Sequence, residues 1–518
     1  MKRVSSVLTA LFMLCAMMFS GAPAEETVLA FPMEGAFFSS LWEGTPYDAL
    51  ARRLLNGLSP VYWDEEHLRY RQDDSVAEEI LVADTQDGGR EYLISFRHDM
   101  CFSDGSPVTA GDYAFTILML ASPCIGDLGA DEDAFDYLSG WDRYHSGRSR
   151  EFGGVRVLGD HQLALTVSPA SLPCFFESGL ISLTPFPASR LFPGLAVYDE
   201  GDGAFIASAE NPLEGGPDGD LLRAVLLDPV TGYLGNPAVT SGRYRFVSFD
   251  GAKLVLEENP FYKGEWRASS PLPTAYTCLA FACERNSVYS AYLRKAVALC
   301  LDRDELLAAA GIQASAGING FCSVNDPAFA HPANALPEPY ETDPDMAALL
   351  LEEDGWTLNE AGEPYDATSD GVRCRLEGGE IVRLSLSLSY AEDGEIGEEL
   401  LDAYLVQPLA RAGIELICEP LASSELERIA RSPRKRLSDL MLITLDICPD
   451  KDLSVFFKPN GADNLFGIDD PELYQAARDT YRTDEGDYAA YFARWLDFQA
   501  GFIDALPAIP LYCREYSY

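Results

Sequence analysis

Residues 87–115 read Asp87-Gly88-Gly89-Arg90-Glu91-Tyr92-Leu93-Ile94-Ser95-Phe96-Arg97-His98-Asp99-Met100-Cys101-Phe102-Ser103-Asp104-Gly105-Ser106-Pro107-Val108-Thr109-Ala110-Gly111-Asp112-Tyr113-Ala114-Phe115. Asp-Gly-Gly is a turn, because glycine reaches positive φ without a Cβ clash, and Tyr92, Ile94 and Phe96 then alternate as on a half-buried strand. Asp104-Gly105 is a second turn and Ser106-Pro107 keeps the chain extended. Thr109 caps a helix whose first turn carries Asp112 and whose apolar face holds Tyr113, Phe115, Leu118 and Leu120. The order is strand, turn, short strand, turn, capped helix. Nothing in it looks like chemistry.

On either side, the chain alternates the two periodicities. Thr27 to Phe31 reads as a strand, Phe37 to Ser40 as a loop, and Tyr47 to Leu55 as a helix closed by Gly57. Val155–Leu158 and Leu163–Val167 pair as a hairpin, as do Tyr244–Phe249 and Leu254–Glu257. Asp199 to Asp220 is a surface loop whose Asp199-Glu200-Gly201-Asp202-Gly203 lacks the EF-hand spacing. Helices are expected over Ser287–Leu301, with Tyr289 on the buried face, and over Pro344–Trp356, with Leu349 and Leu350 inward. Val382–Tyr390 reads as one strand, Leu400–Ala412 as a helix and Ile414–Cys418 as the strand after it, the alternation of an α/β domain.

Composition narrows the function classes. The chain has 518 residues, 47% hydrophobic, room for several domains, and a formal charge of −44 that argues against nucleic acid or an anionic bilayer as partner. Lys2 and Arg3, the apolar run Val7–Phe19 and Ala22-Pro23-Ala24 form a signal peptide, so the mature protein is expected to start at Glu25, outside the cytoplasmic membrane. Cys15 follows the bulky Met13 and Leu14, so lipid anchoring is not expected. The cysteines from Cys101 to Cys513 show no disulfide or metal spacing and read as mostly buried thiols. The five histidines, His67, His98, His145, His161 and His331, share no helix, and no metal or cofactor is assigned. Tyr491, Phe492, Trp495, Phe498 and Phe502 have helical spacing and read as core.

Residues 87–115 closely resemble the signature of the peptide and nickel family of extracellular solute-binding proteins, the oligopeptide-binding type that serves ATP-driven importers. Further motifs follow in the family's order: Ser241-Gly242-Arg243-Tyr244 with Asn259-Pro260-x-Tyr262, Leu293 to Arg303, Ala347 to Trp356, Leu405 to Glu415, and Ile509-Pro510-Leu511-Tyr512. The resemblance implies an α/β, two-lobed periplasmic-binding-protein-like fold of the type II, large peptide-binding subclass, with an extra small domain and hinge crossovers. It divides the chain into signal peptide 1–24, first lobe 25–55, appended small domain 56–184, first lobe again 185–275, second lobe 276–485, and first lobe again 486–518. It also implies an importer permease as partner, a monomer, and no catalysis. In peptide-binding members an aspartate ahead of a downstream asparagine meets the peptide's α-ammonium. Here Leu442 to Asp450, followed by Asn464, matches that segment, which carries over Asp446 with Thr444 and Asn464; Asp446 can equally cap the turn at Cys448-Pro449. Phe38 and Ser39 lie where members pass a strand along the ligand.

Two other classes compete with this reading. An exported sensor would bind a ligand without feeding an importer, and a secreted hydrolase would use two of the 82 acidic residues. No G-x-S-x-G, Walker A or H-E-x-x-H motif supports a catalytic reading.

Overall fold

The computed structural model describes residues 26–42, 44–313, 318–334, 336, 340–432 and 436–516. The signal peptide, its cleavage site and Cys15 lie outside the described residues. Residues 87–115 fold as their turns and periodicity dictate. Strands Ala77–Asp84 and Arg90–Phe96 form the expected hairpin, extended by Gln162–Val167 and Val155–Gly159 into a four-stranded antiparallel sheet. Tyr92, Ile94 and Phe96 turn inward, and Phe96 stacks on Tyr113 at 4.2 Å. The helix Ala110–Leu120 is buried on nearly every side, packed against this sheet and against the hairpin Leu195–Asp199/Ala204–Ser208. At its start the Asp112 carboxylate accepts the N–H of Thr109 at 2.8 Å and its hydroxyl at 2.8 Å.

The turns of the motif segments meet in space. Gly105 has φ of +83°, and a Cβ there would come within 2.8 Å of the Phe261 ring, so the turn needs glycine for both conformation and room. Ser103 N–H donates to Thr240 O, and Thr240 N–H returns to Ser103 Oγ. Gly57 N–H donates to Ser241 Oγ, and Asn259 Nδ2 to Gly242 O. Strands Thr27–Leu29, Leu254–Glu258 and Tyr244–Phe249 complete a three-stranded sheet beside the helix Pro46–Leu55, itself closed by a Thr45/Asp48 capping box.

The other main sheet has the order Glu415–Leu421, Ser385–Ala391, Leu440–Ile447, Thr274–Phe281, Ala508–Glu515. The first three run parallel, and Thr274–Phe281 is antiparallel to both its neighbours. The C-terminal segment, expected with the first lobe, thus sends its strand Ala508–Glu515 into the sheet of residues 276–485. Arg294 fixes this arrangement by donating to the carbonyls of Ala505 and Leu506, and Arg303 by donating to that of Pro510. The helix Tyr488–Ala505 buries Tyr491, Trp495, Phe498 and Phe502 as core, as its spacing predicts.

Several local expectations are corrected. The helix expected from Ser287 begins at Ala291 after Ser290, leaving Tyr289 ahead of it and 73% exposed. In Pro344–Glu353 the buried positions are Ala347 and Leu351, whereas Leu349 faces solvent. Val382–Tyr390 is two strands: Glu380–Arg383 pairs with Cys374–Glu377, and Ser385–Ala391 enters the main sheet. The loop expected over 199–220 contains the buried strand Ala204–Ser208, and Asp199 accepts from Arg156 at 2.8 Å and from Val157 N–H.

Candidate functional site

The sheet containing Leu440–Ile447 has one face that changes character along its length. Leu442 and Leu279 are paired in register and, with Leu301, Leu401 and Leu405, line an apolar hollow in the core. Two residues further, Thr444 pairs with Thr277, their hydroxyls 2.9 Å apart, and Thr277 is in turn opposite Tyr512. Two residues beyond that, Asp446, Ala275 and Arg514 form a row at the end of the same face. Period-two alternation therefore carries this face from leucine core through a threonine pair to an open carboxylate.

Asp446 is open to solvent, yet burial by surrounding protein raises its carboxyl above the ordinary aspartate value. Tyr516 donates its hydroxyl to Asp446 Oδ1, and its ring meets Tyr47 edge to face at 6.0 Å, while Tyr47 stacks on Phe31 at 4.7 Å. The segment around helix Pro46–Leu55 thus approaches the strand end that carries Asp446. From the same helix Arg52 donates to Ala36 O at 2.7 Å and lies within electrostatic reach of Cys448. The row partner Arg514 pairs with Glu395 at 2.8 Å, not with Asp446.

Beyond the strand the chain turns at Cys448-Pro449-Asp450-Lys451, with Lys451 N–H donating to Cys448 O at 3.4 Å. Burial raises the Cys448 thiol to about 12, which leaves it protonated and unreactive at neutral pH. Asp450 accepts the Tyr70 hydroxyl at 2.7 Å through Oδ2, while its buried Oδ1 has no partner. Tyr70 belongs to the strand Arg69–Gln72, so this hydrogen bond joins the two halves of the molecule. The junction continues where Phe175 stacks on Tyr491 at 3.8 Å and Ser178 donates to Glu485 at 2.7 Å.

The expected site residues separate into two groups. Asp446 and Thr444 stand together, exposed, on one face of the sheet. Phe38 is 6% exposed, packs against Phe186 and Tyr233, and offers its carbonyl to Asn56. Ser39 Oγ accepts from Leu41 N–H in a local turn. Asn464 is 4% exposed and donates to Lys458 O and Ile468 O, pinning a loop. Tyr47, Arg52, Tyr516 and Lys451 were not anticipated, since only the sheet register and the approach of distant segments bring them to Asp446. His98 and His161, far apart in sequence, meet at 4.0 Å between ring centroids, but among the described residues no group of three ligands could hold a metal.

Residues 74–273 match the family of bacterial extracellular solute-binding proteins, family 5 Middle. The match covers part of the chain, and the mixed α/β fold as a whole is shared with solved structures of peptide-binding proteins. The oligopeptide-binding protein AppA of Bacillus subtilis, solved with a nonapeptide, superposes with a TM-score of 0.60 at 15% identity, covering 93% of each chain. Lactococcal OppA, solved with an endogenous peptide, gives 0.64 at 16% identity over 93% of this chain and 92% of that one. NikA of Brucella suis, solved with Fe(III)-EDTA, gives 0.61 at 16% over the same shares. No curated protein matches the chain by sequence.

Proposed function

We propose that the protein captures a peptide or peptide-like solute between its two lobes, outside the cytoplasmic membrane, and delivers it as a monomer to the permease of an ATP-driven importer. The observation that carries this reading is Asp446: an accessible carboxylate, desolvated at the cleft wall and held by a single phenol, which leaves acceptor capacity for an ammonium. Thr444 lies two residues away on the same face. The ligand would favour the closed arrangement of the lobes by its differential affinity for it, so no catalytic group is required. Among the described residues no helix is long and apolar enough to cross a membrane. Residues 1–24 would direct export, and the lobe boundaries inferred from sequence would hold except for the strand Ala508–Glu515. Native mass spectrometry of the purified protein tests the reading. A co-purified mass of one peptide per chain, displaced by added peptide, supports it; a ligand that is a sugar or a metal complex overturns the peptide class.

A further inference from the structure

Tyr516 follows the strand Ala508–Glu515, and the alternation that puts Tyr512 and Arg514 on one face with Thr444 and Asp446 continues to it. Its hydroxyl donates to Asp446 Oδ1, and among the described residues this is the only hydrogen bond that the carboxylate makes. The two residues do not come from adjacent strands. Thr274–Phe281 runs between their strands, so the phenol crosses it to reach the carboxylate. Ala275 is the register partner of both Asp446 and Arg514, and it is 2% exposed although Asp446 is open to solvent. A methyl at that position leaves room for a ring to lie over the strand. The same ring meets Tyr47 edge to face, and Tyr47 stacks on Phe31. One side chain therefore touches both the carboxylate at the end of the main sheet and the aromatic pair beside helix Pro46–Leu55.

A carboxylate that burial has partly desolvated gains from any donor, and here the phenol supplies one. An ammonium offers more: a full opposite charge and three donors where the phenol has one. Oδ2 is available for its first contact, and displacement of the phenol frees Oδ1 for a second. When the ligand leaves, the phenol can return.

We infer that Tyr516 is a built-in competitor of the ligand: its hydroxyl caps Asp446 and has to be displaced before a ligand ammonium takes both carboxylate oxygens. This rests on the proposed role of Asp446 in peptide capture and adds a regulation of that site. The apparent Kd is then the intrinsic value divided by the uncapped fraction. A cap in place about nine-tenths of the time weakens binding about 10-fold for every ligand that uses Asp446, and leaves a ligand that does not use it unaffected.

The test is calorimetric titration of the full mature chain with a free-amine tripeptide library and with its N-acetylated form. Wild type, Tyr516→Phe, Asp446→Asn and the double variant are compared. Tyr516→Phe keeps the ring against Tyr47 and removes only the hydroxyl, so its melting temperature should match that of the wild type. It is expected to bind the free-amine library about 10-fold tighter than wild type and the acetylated library no tighter. In the Asp446→Asn background the same substitution should change nothing. Tyr516→Leu, which removes the hydroxyl with a different side chain, should show the same gain as Tyr516→Phe. Unchanged or weaker binding of free-amine peptides by Tyr516→Phe, with wild-type binding intact, overturns the cap and leaves peptide capture standing. An equal gain in the Asp446→Asn background overturns it as well, because the hydroxyl would then be acting elsewhere. Binding of no peptide by any of the four proteins overturns both the cap and peptide capture.

Discussion

Asp112 and Asp446 are both aspartates whose carboxyls burial pushes upward, and they do opposite things. Asp112, raised to about 6, stands at the start of a buried helix and spends its oxygens on the N–H and hydroxyl of Thr109. Asp446 stands at the end of a sheet face where the apolar cover has run out, and it holds one phenol. The stretch 87–115 is saturated with internal contacts; the strand end at 444–451 leaves charged atoms over. A perturbed acid is therefore a weak pointer to function by itself. What separates the two is whether the surrounding protein has used the carboxylate's acceptor capacity.

The difference can be broken at either end, and the largest effect lies in the saturated region. Phe96→Ala removes a ring stacked on Tyr113 in the core of the small sheet and is expected to cost about 3–5 kcal/mol. Denaturant unfolding reads the loss, and peptide affinity below the melting range should not change.

Asp326 sharpens the contrast from the second lobe. It is 3% exposed, accepts from Tyr491 at 2.9 Å and from Ala328 N–H, and burial raises it to about 6 against an ordinary 3.8. A carboxyl raised on folding binds its proton more tightly in the folded state. Its contribution is complete below the unfolded value near 4, declines as pH rises through about 6, and is lost above. Asp326→Asn should remove that decline, on the order of 3 kcal/mol between pH 4 and 7, in melting curves taken across this range.

At the cleft, Asp446→Asn should weaken binding of free-amine peptides by about 10–100-fold and change the melting temperature little, since the residue is at an accessible edge. A large drop in stability with no change in affinity would place Asp446 with Asp112 as a structural carboxylate. The smallest effect expected is that of Asp112→Ala, about 0.5–2 kcal/mol from loss of the capping box, with affinity untouched.

Local rules made 87–115 legible because its elements are set by residues close in sequence: turn glycines, period-two alternation, a cap three residues ahead of its carboxylate. The same rules failed where tertiary packing chose the outcome. Leu349 looks inward by composition, but the helix presents Ala347 and Leu351 to the core; Ala204–Ser208 looks like loop from its flanks and is a buried strand because Ala204 and Ile206 join the core beside the helix Ala110–Leu120. For the site, motif order picks out Asp446, Phe38 and Asn464 alike, and only the packing shows the first exposed and the other two buried against aromatics and loop carbonyls.

The central claim is that Asp446 is a vacant acceptor for a ligand ammonium. Titrating the wild type and Asp446→Asn with a free-amine tripeptide library and with its N-acetylated form tests it most directly. The account predicts that acetylation weakens binding to the wild type by at least ~10-fold and leaves the affinity of Asp446→Asn unchanged. Equal loss on acetylation in both proteins, or none in the wild type, would contradict it.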